Sequence, residues 1–440
     1  MTIRRLRPLV ATLSLATVLP ASASAATWTA PTTVAGTADV QFQLAMGADG
    51  TAAATWASDG AVRAAVKRPG RPWGAPVRVS DGRFGVARPA VAVTGRGEVV
   101  VAWVQDSTRN GRPAPVVGPL TIRARARGTA GHWGQIRQIG TTSHFIEAGI
   151  DLSSNARGET IAVWRGLRTL AGGRRTEAAQ SSFRRPSQAF GGTQTVRDPE
   201  TARQTVTGQV VALDNRGTAF VAYSAGTSPV VRLAARSRGA TGAWHGPRDL
   251  AAAPSSNPVI DVTPDGTAIV AWRASELDTE GNGIQSGPLD TRFRAPSGAL
   301  GAPQRLSTAP TRNYRLATAP GGETLIAWVP STPEGSDLNY ATRPAGGQFG
   351  AAEDVAGAVP ASDFHGGPAA LADGTFLETF NTTDRVRIIA RPPAGTFAAA
   401  PELDSPGLYP LVVTAGSRAV AAWVVPVGDT VRLVASARIG

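Results

Sequence analysis

The sequence predicts an all-β chain, specifically an eight-bladed β-propeller of four-stranded antiparallel blades, its ring closed by an N-terminal strand that completes the last blade. Three observations in the 440 residues point there. One turn-and-strand unit recurs eight times. A second column of aromatic residues recurs in step with it. The first member of that second column precedes the first unit, whereas the last unit has none after it.

The clearest copy of the first unit is Gly266-Thr-Ala-Ile-Val-Ala-Trp272. Gly50 to Trp56, Gly97 to Trp103, Gly158 to Trp164, Gly217 to Tyr223, Gly322 to Trp328 and Gly374 to Phe380 keep its spacing, and Gly416 to Trp423 carries one extra residue. Successive aromatics lie 43 to 61 residues apart, roughly the spacing of propeller blades. Asp214-Asn-Arg-Gly217 and Asn155-Ala-Arg-Gly158 put an Asx residue at the start and glycine at the end of a four-residue turn, the type I signature. The strand that follows is apolar or small on both faces, as a strand inside a stack of sheets must be.

In the second column an aromatic residue is followed six positions later by an apolar one: Trp73/Val79, Trp133/Ile139, Phe190/Val196, Trp244/Leu250, Phe349/Val355 and Phe397/Leu403, with Leu300/Leu306 using leucine. An arginine-bearing strand such as Val231 to Arg238 runs between the columns, and a strand such as Pro258 to Val262 precedes each turn. Each unit thus holds four strands, A to D from the centre outward. Trp28/Val34 is an eighth member placed before the first strand A, and the last unit stops after strand C. A linear array gains nothing from this split. A ring gains closure and hides two free edges. All ten tryptophans fall in the two columns, which makes them framework.

The N-terminus reads as a secretory signal peptide, residues 1–25. Arg4, Arg5 and Arg7 give a positive start, Pro8 to Pro20 is apolar but too short to span a bilayer, and Ala21 to Ala26 offers small-residue cleavage sites. Residues 26–440 form a single propeller domain, since the repeats run through without a linker. A secreted, extracellular protein with no membrane anchor is expected, acting as a monomer. With no cysteine there is neither a disulfide framework nor a thiolate metal site. Loss of the three leader arginines takes the formal charge from +12 to +9. The arginines are scattered one or two per strand, as on a solvated face, so no nucleic-acid partner is expected.

The run of turn, Gly-x5-Trp strand, arginine-bearing strand and Trp-Gly-x-Pro strand resembles the sialidase-like, BNR-type repeats of exported bacterial propellers. The likeness covers nearly the whole mature chain but rests on framework positions. The Asp-box of that family, Ser-x-Asp-x-Gly-x-x-Trp, is absent. The resemblance also implies an arginine triad, a Tyr–Glu nucleophile pair and an acidic Asp, and no such set is placed in this sequence; Arg88-Pro89 is the nearest match to a first-blade arginine.

Connections from D to A and from B to C share the end of a propeller where ligands meet it, and here they are the long, variable ones. Three D-to-A connections carry a phenylalanine that neither column explains: Phe84, flanked by Asp81 and Arg83; Phe145, between His144 and Glu147; and Phe364, between Asp363 and His365. An apolar ring beside charge suits a small binding pocket. The same rings would also serve as plugs at the top of their own blades. His144 and His365 precede blades on opposite sides of the ring, too far apart for one metal. Asp278, Glu280 and Asn282, followed by Gly283, resemble the first half of a Ca²⁺ loop, but Leu289 stands where its glutamate should be, so no cofactor is expected. The sequence supports a secreted non-catalytic propeller that binds a glycan or protein ligand through its loop end. The alternative is a sialidase-like glycoside hydrolase on the same scaffold, which would need two carboxyl groups about 5–10 Å apart.

Overall fold

A computed structural model describes residues 26–38, 42–81, 84–109, 120–143, 149–169, 175–196, 205–226, 230–236, 244–245, 247–252, 254–274, 287–331, 338–355 and 365–439. Every element among them is a strand. Two short strands come first, β1 (Thr27–Trp28) and β2 (Thr32–Ala38). Unit one holds β3 (Gln43–Met46), β4 (Ala52–Ser58), β5 (Ala61–Lys67) and β6 (Val77–Arg78). Unit two holds β7 (Phe84–Val93), β8 (Val99–Arg109), β9 (Leu120–Arg127) and β10 (Arg137–Thr142). Unit three holds β11 (Asp151–Ser154), β12 (Thr160–Thr169), β13 (Arg175–Arg184) and β14 (Gln194–Thr195). Unit four holds β15 (Thr205–Leu213), β16 (Ala219–Gly226), β17 (Val230–Arg236) and β18 (Arg248–Asp249).

Unit five holds β19 (Ser255–Val262), β20 (Ala268–Ala274), β21 (Gly287–Arg294) and the first part of β22 (Gln304–Thr318). Unit six begins with the second part of β22 and continues through β23 (Thr324–Pro330), β24 (Asn339–Arg343) and β25 (Glu353–Asp354). Unit seven holds β26 (His365–Ala370), β27 (Phe376–Asn381), β28 (Arg385–Arg391) and β29 (Leu403–Pro406). The last unit holds β30 (Leu408–Ala415), β31 (Arg418–Val427) and β32 (Thr430–Ile439).

All pairings within the units are antiparallel between sequence neighbours. The described strands form seven sheets, not eight separate four-stranded ones. The difference lies at β22, which runs unbroken from the outer edge of unit five to the inner edge of unit six and fuses the two into one seven-stranded sheet. The sheet of the last unit has five strands because β1 and β2 both pair with β32, Trp28 opposite Arg438 and Thr33 opposite Val434.

The turns between A and B strands follow the sequence chemistry. Asn155 Oδ1 accepts the backbone N–H groups of Arg157 and Glu159, and Asp214 Oδ1 those of Arg216 and Thr218. Where threonine stands first, its hydroxyl accepts instead, as Thr94 does from Arg96 and Glu98. The closing glycines need φ near +90°, for example Gly158 and Gly266, a region open to glycine.

Buried apolar side chains group into eight clusters, each spanning two consecutive units, and one joins the last unit to the first. Trp56, Trp103, Trp164, Trp272, Trp328 and Trp423 are fully buried and face the preceding unit. The second column is half-buried except for the buried Phe349 and Phe397, and it wedges the same interfaces from outside: Trp73 packs on the cluster shared with the last unit, and Trp28 on the cluster between units seven and eight. By its packing Trp28 is the outer-strand aromatic of the last unit.

Candidate functional site: the central cavity and the connection-bearing end

Each inner strand pairs on one side only, so its other edge turns backbone N–H and C=O groups toward the centre, where they need partners. Side chains from neighbouring units supply some of them. Asp151 Oδ2 accepts Val211 N–H (2.8 Å), Ser153 Oγ accepts Leu213 N–H (3.0 Å) and Asp261 Oδ2 accepts Thr318 N–H (2.8 Å), each across a unit boundary. Gln209 Nε2 and Thr414 Oγ1 donate to the carbonyls of Gly149 and Ala370. An acid on an inner strand thus reads as a staple between units.

These strands surround a cavity of about 480 Å³ lined by inner strands of seven units. Both carboxyls face it. Burial pushes Asp151 up to about 6, against the opposing effect of two backbone N–H bonds. Burial raises Asp261 too, with the N–H groups of Val262 and Thr318 acting against it. The stability linked to Asp151 is complete below pH of about 4 and is lost as pH rises through about 6, because the folded state holds this proton more tightly than the unfolded chain. Thermal melts should show the parent losing more stability between pH 5 and pH 7 than Asp151→Asn, whatever the variant costs in absolute terms. Parallel pH profiles would contradict the assignment.

At the other end of the strands, Tyr314 donates its hydroxyl hydrogen to the Asn257 carbonyl, and the buried Arg273 reaches the Thr311 carbonyl at 3.5 Å. Arg315 lies against bare Gly367, where an added Cβ would come 2.6 Å from its Cβ and Cγ. Burial lowers the pKa of Arg273, with Tyr314 acting in the opposite sense.

Of the sequence-derived ligand candidates, Asp81, Phe84 and His365 lie among the described residues. Arg83, His144, Phe145, Glu147, Asp363 and Phe364 lie outside the described residues, as do Asp278, Glu280 and Asn282. Phe84 opens β7 opposite Arg109, and His365 opens β26 opposite Phe380. Asp81 is exposed and accepts a hydrogen bond from Gln105 Nε2 (3.4 Å), whose Oε1 accepts from Trp103 Nε1. Asp81 is thereby tied to the framework. Among the described residues no group of three or more His, Asp or Glu is placed to hold a metal ion.

A column missed in the sequence runs along the ends of the C strands. A basic residue faces the start of the B strand in all eight units: Lys67, Arg127, Arg184, Arg236, Arg294, Arg343 and Arg391 opposite its first position, and Arg438 opposite its second. Several reach the preceding unit. Arg184 meets Glu98 at 3.0 Å, Arg391 meets Glu323 at 3.0 Å and Arg438 meets Glu402 at 2.9 Å. Arg294 and Arg343 instead lie over the rings of Phe220 and Phe293, at 5.4 and 4.9 Å. In six of the units this residue stands six places before the second-column residue, which was the available signal.

No family model matches the chain, and no curated protein matches it. Among solved structures it is similar to an ulvan lyase, at 10% identity and a TM-score of 0.51 over 80% of this chain and 93% of that one. A second polysaccharide lyase gives 11% identity and 0.45 over 80% and 89%, and a Trypanosoma rangeli sialidase gives 11% and 0.38 over 71% and 57%. The likeness to the ulvan lyase places the chain in a β-propeller-like all-β fold.

Proposed function

We infer that the chain is an exported eight-bladed propeller, closed by β1 and β2 on β32, that binds an extracellular glycan at its connection-bearing end without cleaving it. Support for the ring comes from the eight inter-unit clusters, one of which joins last unit to first. The observation that carries the binding site is the contrast between the two ends. The A-to-B hairpins are short and alike. The B-to-C connections run from two residues, 59–60, through ten, 110–119, to twelve, 275–286. A framework needs the first kind of end; variable segments on a rigid scaffold are where ligands are met. The choice of glycan over protein draws on the ulvan lyase that shares the fold.

The reading is tested by affinity electrophoresis against neutral and acidic polysaccharides, with product analysis of each incubation. The parent should be retarded by at least one polysaccharide and release no fragments. Combining Phe84→Ala, Phe145→Ala and Phe364→Ala should weaken retardation at least about ten-fold with the melting temperature unchanged. A large fall in melting temperature with retardation intact would make the rings blade plugs. Fragment release would support the hydrolase alternative instead.

A further inference from the structure

We propose a second ligand site at the opposite end of the molecule, a cleft between units two and three that takes a small aromatic carboxylate. The cleft has a volume of about 410 Å³, within the range of small-molecule sites, and lies beside the C-to-D turns of the two units. Its origin is visible by comparing it with the interface of units six and seven, which is built from the same positions. In both, a glutamate after the A-to-B turn meets an arginine ending a C strand: Glu98 with Arg184 here, Glu323 with Arg391 there. In both, an aromatic stands six residues after that arginine, Phe190 here and Phe397 there.

Between units six and seven the space beside Phe397 is filled. Tyr340 packs edge-on against that ring, centroids 4.9 Å apart and planes at 89°, and its hydroxyl donates to Glu353 at 2.6 Å. The register puts Ala124 at the position of Tyr340, each opposite the fourth residue of its B strand. It also puts Arg137 opposite Ala124 where Glu353 is opposite Tyr340. One interface therefore carries its own ring and an acid to receive the phenol. The other lacks the ring, leaves Phe190 lining a cavity, and offers a guanidinium.

The charge of the cleft agrees. Arg125, Arg137 and Arg184 line it against one acid, Glu98. Burial disfavours the Glu98 carboxylate, but bonds from Arg184 and Ser187 outweigh it and hold the group below its ordinary value, so it is spent on those partners. Arg184 keeps a buried Nε with no hydrogen-bond partner among the described residues. The occupant this space fits has a flat ring in the place of the Tyr340 side chain and an anionic group toward Arg137.

Titration calorimetry with 2-naphthoate, 2-naphthamide and glucuronate tests this on the full mature chain. The parent should bind 2-naphthoate saturably at one site, and the neutral amide at least about ten-fold more weakly, since a charge-assisted pair with arginine is lost. Ala124→Tyr should abolish binding without lowering the melting temperature, because it installs the ring that units six and seven already accommodate. Arg137→Gln should weaken the carboxylate at least about ten-fold and leave the amide unchanged. No saturable binding by the parent, unchanged binding by Ala124→Tyr, or tighter binding of glucuronate than of naphthoate would each overturn the proposal. None of these outcomes bears on glycan retention at the other end.

Discussion

Removal of residues 26–38 should destabilise the protein by more than about 5 kcal/mol and leave it prone to aggregate, as denaturant melts and light scattering would show. Three losses combine. Trp28 leaves the cluster between units seven and eight together with its Nε1 bond to Glu402; truncating a fully buried tryptophan costs about 3–5 kcal/mol, and the half-buried Trp28 contributes part of that. Val34 and Ala35 leave the cluster joining the last unit to the first. Strand β32 loses β1, β2 and the bonds that Thr29 makes to Ser436 and Ala437, so a long apolar edge becomes free to pair with other chains. A deletion variant that melts with the parent would refute this account of the last sheet.

Glu98→Ala should cost about 3–5 kcal/mol, the usual penalty for leaving one partner of a buried ion pair alone. Both side chains are 4% exposed, and Ser187 loses its acceptor along with Arg184. The equivalent Glu323→Ala should cost less, because Glu323 is 26% exposed and water can take over the freed Arg391 more readily. Replacing both members, Glu98→Met with Arg184→Leu, should recover much of the loss, since the desolvation of two charges is relieved together. Equal costs at Glu98 and Glu323 would show that burial does not set the difference.

Much of the architecture was legible because repeats expose it. The Gly-x5-Trp column marks strands whose aromatic side chains are now seen fully buried, and the displaced Trp28 marks the segment that pairs with β32. The continuity of β22 was not legible. Elsewhere the D and A strands are separated by between one residue, 407, and ten, 355–364, whereas here Ser307 to Thr311 simply extends the strand. The roles of Asp151 and Asp261 were hidden for another reason. Each serves a backbone group 57 to 60 residues away in the next unit, and nothing in local pattern signals such a partner. The cleft beside Phe190 escaped notice because it is defined by what Ala124 lacks relative to Tyr340, a comparison that needs strand register.

The absence of cysteine makes the closing contact directly measurable. Thr33→Cys with Val434→Cys places two thiols on register partners of β2 and β32; antiparallel partners lie about 4.5–5.5 Å apart at Cα, inside the range of about 4.4–6.8 Å that a disulfide spans. Mild oxidation of the folded double variant should give a monomer with faster non-reducing gel mobility and a raised melting temperature. Free thiols, or cross-links formed only between molecules, would show that the N-terminal segment does not lie on the final strand of its own chain.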